Sequence, residues 1–183
     1  MLKLARYAVA FAVICVSFTA HAERSLKPYS PRIEAPGFIL QGADGKPYRL
    51  ADFAGRILVV NFWATWCPPC RKEMPSMQRM WRALQADGVE LVAIDFGDEK
   101  EVVAEFATEA AIEFPLLLDK KGAVLQDFKA VGLPTTYIID RNGRLAYVAA
   151  GERKWDGEKI LTTLRKLAPV SYTHLTLPTI YSV

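Results

Sequence analysis

An almost unbroken apolar run, Ile57–Trp63, marks the middle of the chain, and its strand length and lack of polar alternation are the pattern of a strand covered on both faces. Val89–Phe96 reads as another strand. Shorter apolar runs at 38–40 and 48–50 flank Ala43-Asp44-Gly45-Lys46-Pro47, and an Asp-Gly so placed predicts a hairpin. The runs 135–140 and 145–150 flank Arg141-Asn142-Gly143 and predict a second hairpin, while 114–118 reads as a short strand. Residues 50–53 form a single helical turn ended by Gly55, and 122–128 a short helix or turn. Helical spacing sets in after position 70 and lasts to about Ala86, with Met74, Met77, Trp81 and Leu84 on one face. Pro75 lies inside it and predicts a kink near Arg71. Asp98 with Glu101 predicts a capping box for a helix that turns Val102, Phe106 and Ala110 inward. A last helix over 156–167 lays Ile160, Leu161, Leu164 and Leu167 on the sheet. Strands that alternate with helices and then close in a hairpin and helix define an α/β fold, one layer sandwich about a mixed sheet.

At 183 residues, 51% hydrophobic and 23% charged, the chain is long enough for one well-packed domain and is not compositionally disordered. Its net charge of +3 owes two units to Lys3 and Arg6, so nothing points to nucleic acid as a partner. Those two residues, the apolar run 7–18 and Ala20-His21-Ala22 together make residues 1–22 a cleavable signal peptide. The run is short for a bilayer span, which favours cleavage over a permanent anchor. Residues 23–34, rich in proline, read as an extended lead-in. At the other end Val170 to Thr179 resembles an in-frame translation of a transposase-type sequencing adapter. Residues 170–183 are therefore expected to be a non-native tail, which leaves a folded domain over 35–169.

Removal of Cys15 with the signal leaves Cys67 and Cys70 as one matched pair. The two stand in Trp66-Cys67-Pro68-Pro69-Cys70, where a strand passes into a helix. Cys67 at the helix N-terminus meets unpaired backbone N–H groups and a dipole that favour a thiolate. Cys70, one turn on, faces the same side and can close a disulfide with it. A structural disulfide closing so small a loop gains little stability. Zinc would need two more ligands, and the histidines, His21 and His174, fall in the excluded ends. A redox-active pair fits the spacing best.

Residues Val59 to Pro75, reading VVNFWATWCPPCRKEMP, resemble the active-site segment of the TlpA/ResA-type thiol–disulfide oxidoreductases, exported proteins of thioredoxin-like fold often tied to cytochrome c maturation. Gly132-Leu133-Pro134-Thr135 resembles that family's second signature, and the likeness extends over about 35–167. The resemblance implies a four- or five-stranded sheet with helices on both faces, preceded here by a β-hairpin extension. It makes Cys67 the exposed nucleophile and Cys70 the resolving thiol. Pro134 is implied to be cis and to face the pair, with the backbone of Leu133 open to an extended substrate. Trp66 and Pro68 become the apolar rim, and Glu73 a carboxylate that tunes the thiols and accepts a proton. Asn61 departs from thioredoxins themselves, which place a buried aspartate there.

The expected activity is reduction of protein disulfides in the periplasm, with apocytochrome c among the targets. Electrons would come from a membrane thiol donor, since an exported protein has no NADPH to draw on directly. No cofactor or metal is called for, and a monomer is expected. Two alternatives stay open: a disulfide-forming oxidant, and a Cu(I)-binding module that uses Met74, Met77 and Met80 with the thiols.

Overall fold

The computed structural model describes residues 25–168. The expected signal peptide and C-terminal tail, with Cys15, His21 and His174, lie outside the described residues. Strands β1 (Lys27–Pro28), β2 (Ile39–Gly42), β3 (Pro47–Arg49), β4 (Ile57–Trp63), β5 (Val89–Phe96), β6 (Leu116–Asp119), β7 (Thr135–Ile139) and β8 (Leu145–Ala150) form one mixed sheet. Its order is β1-β8-β7-β4-β5-β6-β2-β3. The helices are α1 (Pro68–Leu84), α2 (Lys100–Glu109), α3 (Ala123–Asp127) and α4 (Glu158–Leu167).

Strand β4 is the axis. All seven of its residues are buried, between parallel β5 and antiparallel β7. Alternation of side chains divides it between two cores. Ile57, Val59 and Trp63 face a cluster with Met74, Met77, Val103, Phe106, Ile160 and Leu164, so α1, α2 and α4 cover this side. Leu58, Val60 and Phe62 face Val124, Phe128 and Phe38 on the other.

The predicted hairpin and one further edge strand extend the four- or five-stranded sheet that the resemblance implied to eight strands. The lead-in supplies one: Lys27 and Pro28 pair with Val148 and Tyr147 of β8. The β2–β3 hairpin adds two more through pairing of Gln41 and Gly42 with β6. The outermost strands are short, and each carries a proline, Pro28 in β1 and Pro47 in β3.

Helix α2 departs from the predicted pattern. It begins at Lys100 after Glu99, and no side chain caps it. The predicted capping box of Asp98 and Glu101 does not form, because the Asp98 carboxylate accepts from the Thr65 N–H at 2.8 Å. Val103 and Phe106 are the buried residues, whereas Val102 stands 44% exposed. Helix α1 runs from Pro68 to Leu84 with Pro75 inside, and buries Met80 along with Met74 and Met77.

Candidate active site

The site starts where β4 ends. Ala64–Cys67 connect β4 to α1, and the Cys67 N–H closes a turn onto the Ala64 carbonyl at 3.2 Å. Cys67 is the N-cap, with extended φ −95° and ψ 100°. Pro68 and Pro69 follow at the helical positions whose N–H groups have no acceptor, so their missing donors cost nothing. Cys67 and Cys70 are joined by a disulfide, Cα to Cα 5.3 Å. Neither sulfur residue is openly exposed as the resemblance implied for Cys67: that residue retains 5% exposure and Cys70 none, both being part of the core beneath α1. What access remains belongs to Cys67. Trp66 is 61% exposed and Pro68 is exposed beside it. Thr65, Trp66, Pro68, Arg71 and Lys72 line an open depression of about 490 Å³.

The Leu133–Pro134 peptide bond is cis. Register places it: Phe62 of β4 pairs with Thr135 of β7, so Pro134 arrives at the end of β4 that feeds the cysteine loop. Its carbonyl accepts from the Gly151 N–H at 2.8 Å, and the Thr135 hydroxyl donates to the Gly132 carbonyl at 2.6 Å. Leu133 is half-buried and packs against both cores, while Val131 is fully exposed.

Glu73 follows Cys70 by three residues on α1 and is only 2% exposed. Its Oε1 accepts from Asn61 Nδ2 at 2.9 Å. Its Oε2 accepts from the Trp155 indole N–H at 3.0 Å and from the Arg153 backbone N–H at 3.2 Å. Burial outweighs these three donors and the Arg153 charge, and pushes Glu73 up to about 7. A carboxyl so held exchanges a proton near neutral pH. Asn61, which cannot titrate, also donates to Thr136 Oγ1 at 2.9 Å and so ties Glu73 to β7.

Sequence reasoning missed the segment that holds Glu73. Lys72 pairs with Glu152 at 2.6 Å, the Ser76 hydroxyl accepts from the Trp155 N–H at 3.0 Å, and Arg79 pairs with Asp156 at 2.7 Å. Residues 152–156 thus lie along α1 as a strap, with Trp155 wholly buried and the Arg153 guanidinium over its ring. One signal was available: a carboxylate next to Met74 on an apolar helix face needs donors, and Trp155 is an indole without an assigned role.

Met74, Met77 and Met80 are completely buried in the core, so they present no thioether surface to a copper ion. Among the described residues no group of three or more His, Cys, Asp and Glu side chains is placed to hold a metal. No described helix is long and apolar enough to cross a membrane.

A disulfide-bonded Cys-x-x-Cys pair at a helix N-terminus, with a cis proline leading into the strand beside β4 in a mixed sheet, fits a thioredoxin-fold thiol–disulfide oxidoreductase, and relatives agree. The chain is 38% identical over 117 residues to a thiol–disulfide oxidoreductase ResA of Geobacillus thermodenitrificans, covering 64% of this chain and 67% of that one. It is 35% identical over 136 residues to the ResA of Bacillus thuringiensis, covering 74% and 78%. A crystal structure of a thiol:disulfide interchange protein of the thioredoxin family from Chlorobium tepidum superposes with a TM-score of 0.67 at 28% identity, over 75% of this chain and 99% of that one. Residues 31–148 match the AhpC/TSA family, and the chain belongs to that family as a ResA-type member.

Proposed function

We propose that the protein is a periplasmic reductase of protein disulfides. The observation that carries this direction is Glu73, a buried carboxyl one helical turn beyond Cys70 that titrates near 7. A carboxylate there opposes a thiolate by charge repulsion, so the reduced pair is not the favoured state and gives up its electrons readily. Strong oxidants of this fold do the reverse and stabilise the reduced thiolate.

In the forward reaction the Cys67 thiolate attacks one sulfur of a substrate disulfide. A mixed disulfide forms and the other substrate sulfur leaves as a thiolate. Cys70 then passes its proton to Glu73 and attacks Cys67 Sγ. This releases the second substrate sulfur as a thiolate and closes the Cys67–Cys70 disulfide, the form described above. The substrate gains two electrons and the protein loses two. Trp66 and Pro68 supply the apolar rim, and the backbone of Leu133 pairs with the extended substrate next to Pro134. The targets are oxidised cysteine pairs such as those of apocytochrome c, and a membrane thiol donor restores the dithiol. The signal segment 1–22 supports export, and a monomer suffices for the chemistry.

The test is the reduction potential of the full chain, equilibrated against a thiol–disulfide buffer. A value near about −270 mV supports a reductase, whereas one near about −120 mV makes the protein an oxidant.

A further inference from the structure

A second buried acid lies on β5, across β4 from the β7 strand to which Glu73 is tied, and the chemistry above leaves it unused. Asp95, near the end of β5, is fully buried and is registered beside Trp63 of β4. By strand alternation with Leu91 and Ala93 it belongs to the face that α1 and α2 cover, the face of the two cysteines. Its Oδ1 accepts from the Asp98 N–H at 3.0 Å, and no hydrogen bond to Oδ2 is found among the described residues. Asp98 Oδ2 in turn accepts from the backbone N–H of Thr65, 33 residues away, at 2.8 Å.

We infer that Asp98, braced by Asp95, is a positioning residue that holds the Thr65–Trp66 backbone and so presents Cys67 to a protein disulfide. Three observations carry this. The connection Ala64–Cys67 is short and bears Trp66 directly before the nucleophile, so one fixed point on its backbone sets the rim against which a protein substrate meets Cys67. That fixed point is a carboxylate from a distant turn, a stronger acceptor than a neutral group. Most telling is the uncapped start of α2. Local sequence favours Asp98 as the helix cap, yet its carboxylate goes to the loop instead. Forgoing a cap costs about 1 kcal/mol, and such local conflicts concentrate at functional sites. The same turn reinforces the site through α2, where the Phe106 ring packs tilted against Trp63, centres 4.8 Å apart, and lies under the Arg71 guanidinium at 5.4 Å.

Asp95 acts as the brace. Burial, then the adjacent Asp98 carboxylate, push it up to about 8. Near neutral pH it therefore keeps a proton and does not repel Asp98. Glu73 thus serves the proton and Asp98 the pose.

The inference rests on Cys67 as the attacking thiol, and its test separates the two. The pre-reduced full chain is mixed in single turnover with insulin, a folded protein disulfide, and with oxidised glutathione, a small one. Asp98→Ala is expected to slow insulin about tenfold and glutathione less than twofold, because a small disulfide does not need the Trp66 rim. Asp98→Asn keeps an oxygen acceptor for Thr65 and should restore most of the insulin rate. Equal loss on both substrates, or an unchanged insulin rate, overturns the positioning role. A wild-type chain inert toward both overturns the assignment of Cys67 instead. Amide exchange of the wild-type protein decides without any variant: the Thr65 N–H is expected to be protected at least tenfold over a free loop amide. Exchange at the free rate sinks the inference.

Discussion

Replacing Glu73 by glutamine tests the central physical claim, that a buried carboxyl is held near its point of titration. Glutamine keeps the shape. Its carbonyl oxygen can accept from Trp155 and Arg153, and its amide can donate to Asn61 Oδ1, which lacks a hydrogen bond among the described residues, once the Asn61 amide turns over. What disappears is the proton. Glu73 rises from an ordinary 4.5 to about 7 on folding, so between those values the folded protein holds a proton that the unfolded chain has released. The proton-linked stability is complete below 4.5 and is lost as pH climbs through 7. A shift of that size corresponds to about 3 kcal/mol. Urea unfolding of the oxidised wild type and of Glu73→Gln, at pH 4.5, 6 and 8, measures it. Other titrating groups, Asp95 among them, are common to both proteins and cancel in the difference. Glu73→Gln should gain about 3 kcal/mol on the wild type between pH 4.5 and 8. A difference that stays flat across that range would refute the raised titration, and with it the proton acceptor assigned to Cys70.

Three further outcomes are expected. Cys67→Ser should abolish disulfide exchange in a single-turnover assay, and persistent turnover would remove Cys67 from its role. Cys70→Ser should accumulate a mixed disulfide with substrate, visible as a thiol-sensitive band on a non-reducing gel; failure to trap any partner counts against the resolving role. Trp155→Phe keeps a buried ring but deletes the N–H aimed at Glu73 Oε2. Its loss should raise Glu73 by about one further pH unit, since a hydrogen bond to a charged group is worth about 1.5–3 kcal/mol. The carboxyl carbon signal of Glu73, followed by NMR against pH, reads that shift directly.

The parts of the fold that sequence revealed are those governed by local pattern. β4 and β5 have the bounds that their largely apolar runs predicted, because a strand buried on both faces is mostly apolar, with Asn61 and Asp95 as the buried polar exceptions. The Asn142-Gly143 turn likewise appears between β7 and β8, with Gly143 at φ 76°. The misjudged parts depend on distant partners. Local pattern predicts a cap at Asp98 and an inward Val102, whereas Asp98 bonds to Thr65 on another element and Val103 takes the buried place. The added strand β1 comes from pairing of Lys27 with Val148, and the predicted hairpin docks on β6 through Gln41 and Leu118, pairings that no local pattern specifies. At the site, the cysteine pair and Glu73 stood out by spacing. The donors to Glu73 did not, since Arg153 and Trp155 lie 80 and 82 residues further along.

The two outer strands bear on how such a protein stays apart from its own kind. A sheet edge is a row of unpaired backbone groups that invites another chain to add on, and through it, aggregation. Here both rims are blunt: β1 is two residues long and β3 three, and each contains a proline that cannot donate to a neighbouring strand. A thiol–disulfide oxidoreductase that acts on protein disulfides meets other chains, and an extended one sticks most readily to an open rim. Blunting both rims leaves little open edge for another chain to join, so the proposed pairing of a substrate beside Pro134 has no strong competitor at the rims of the sheet.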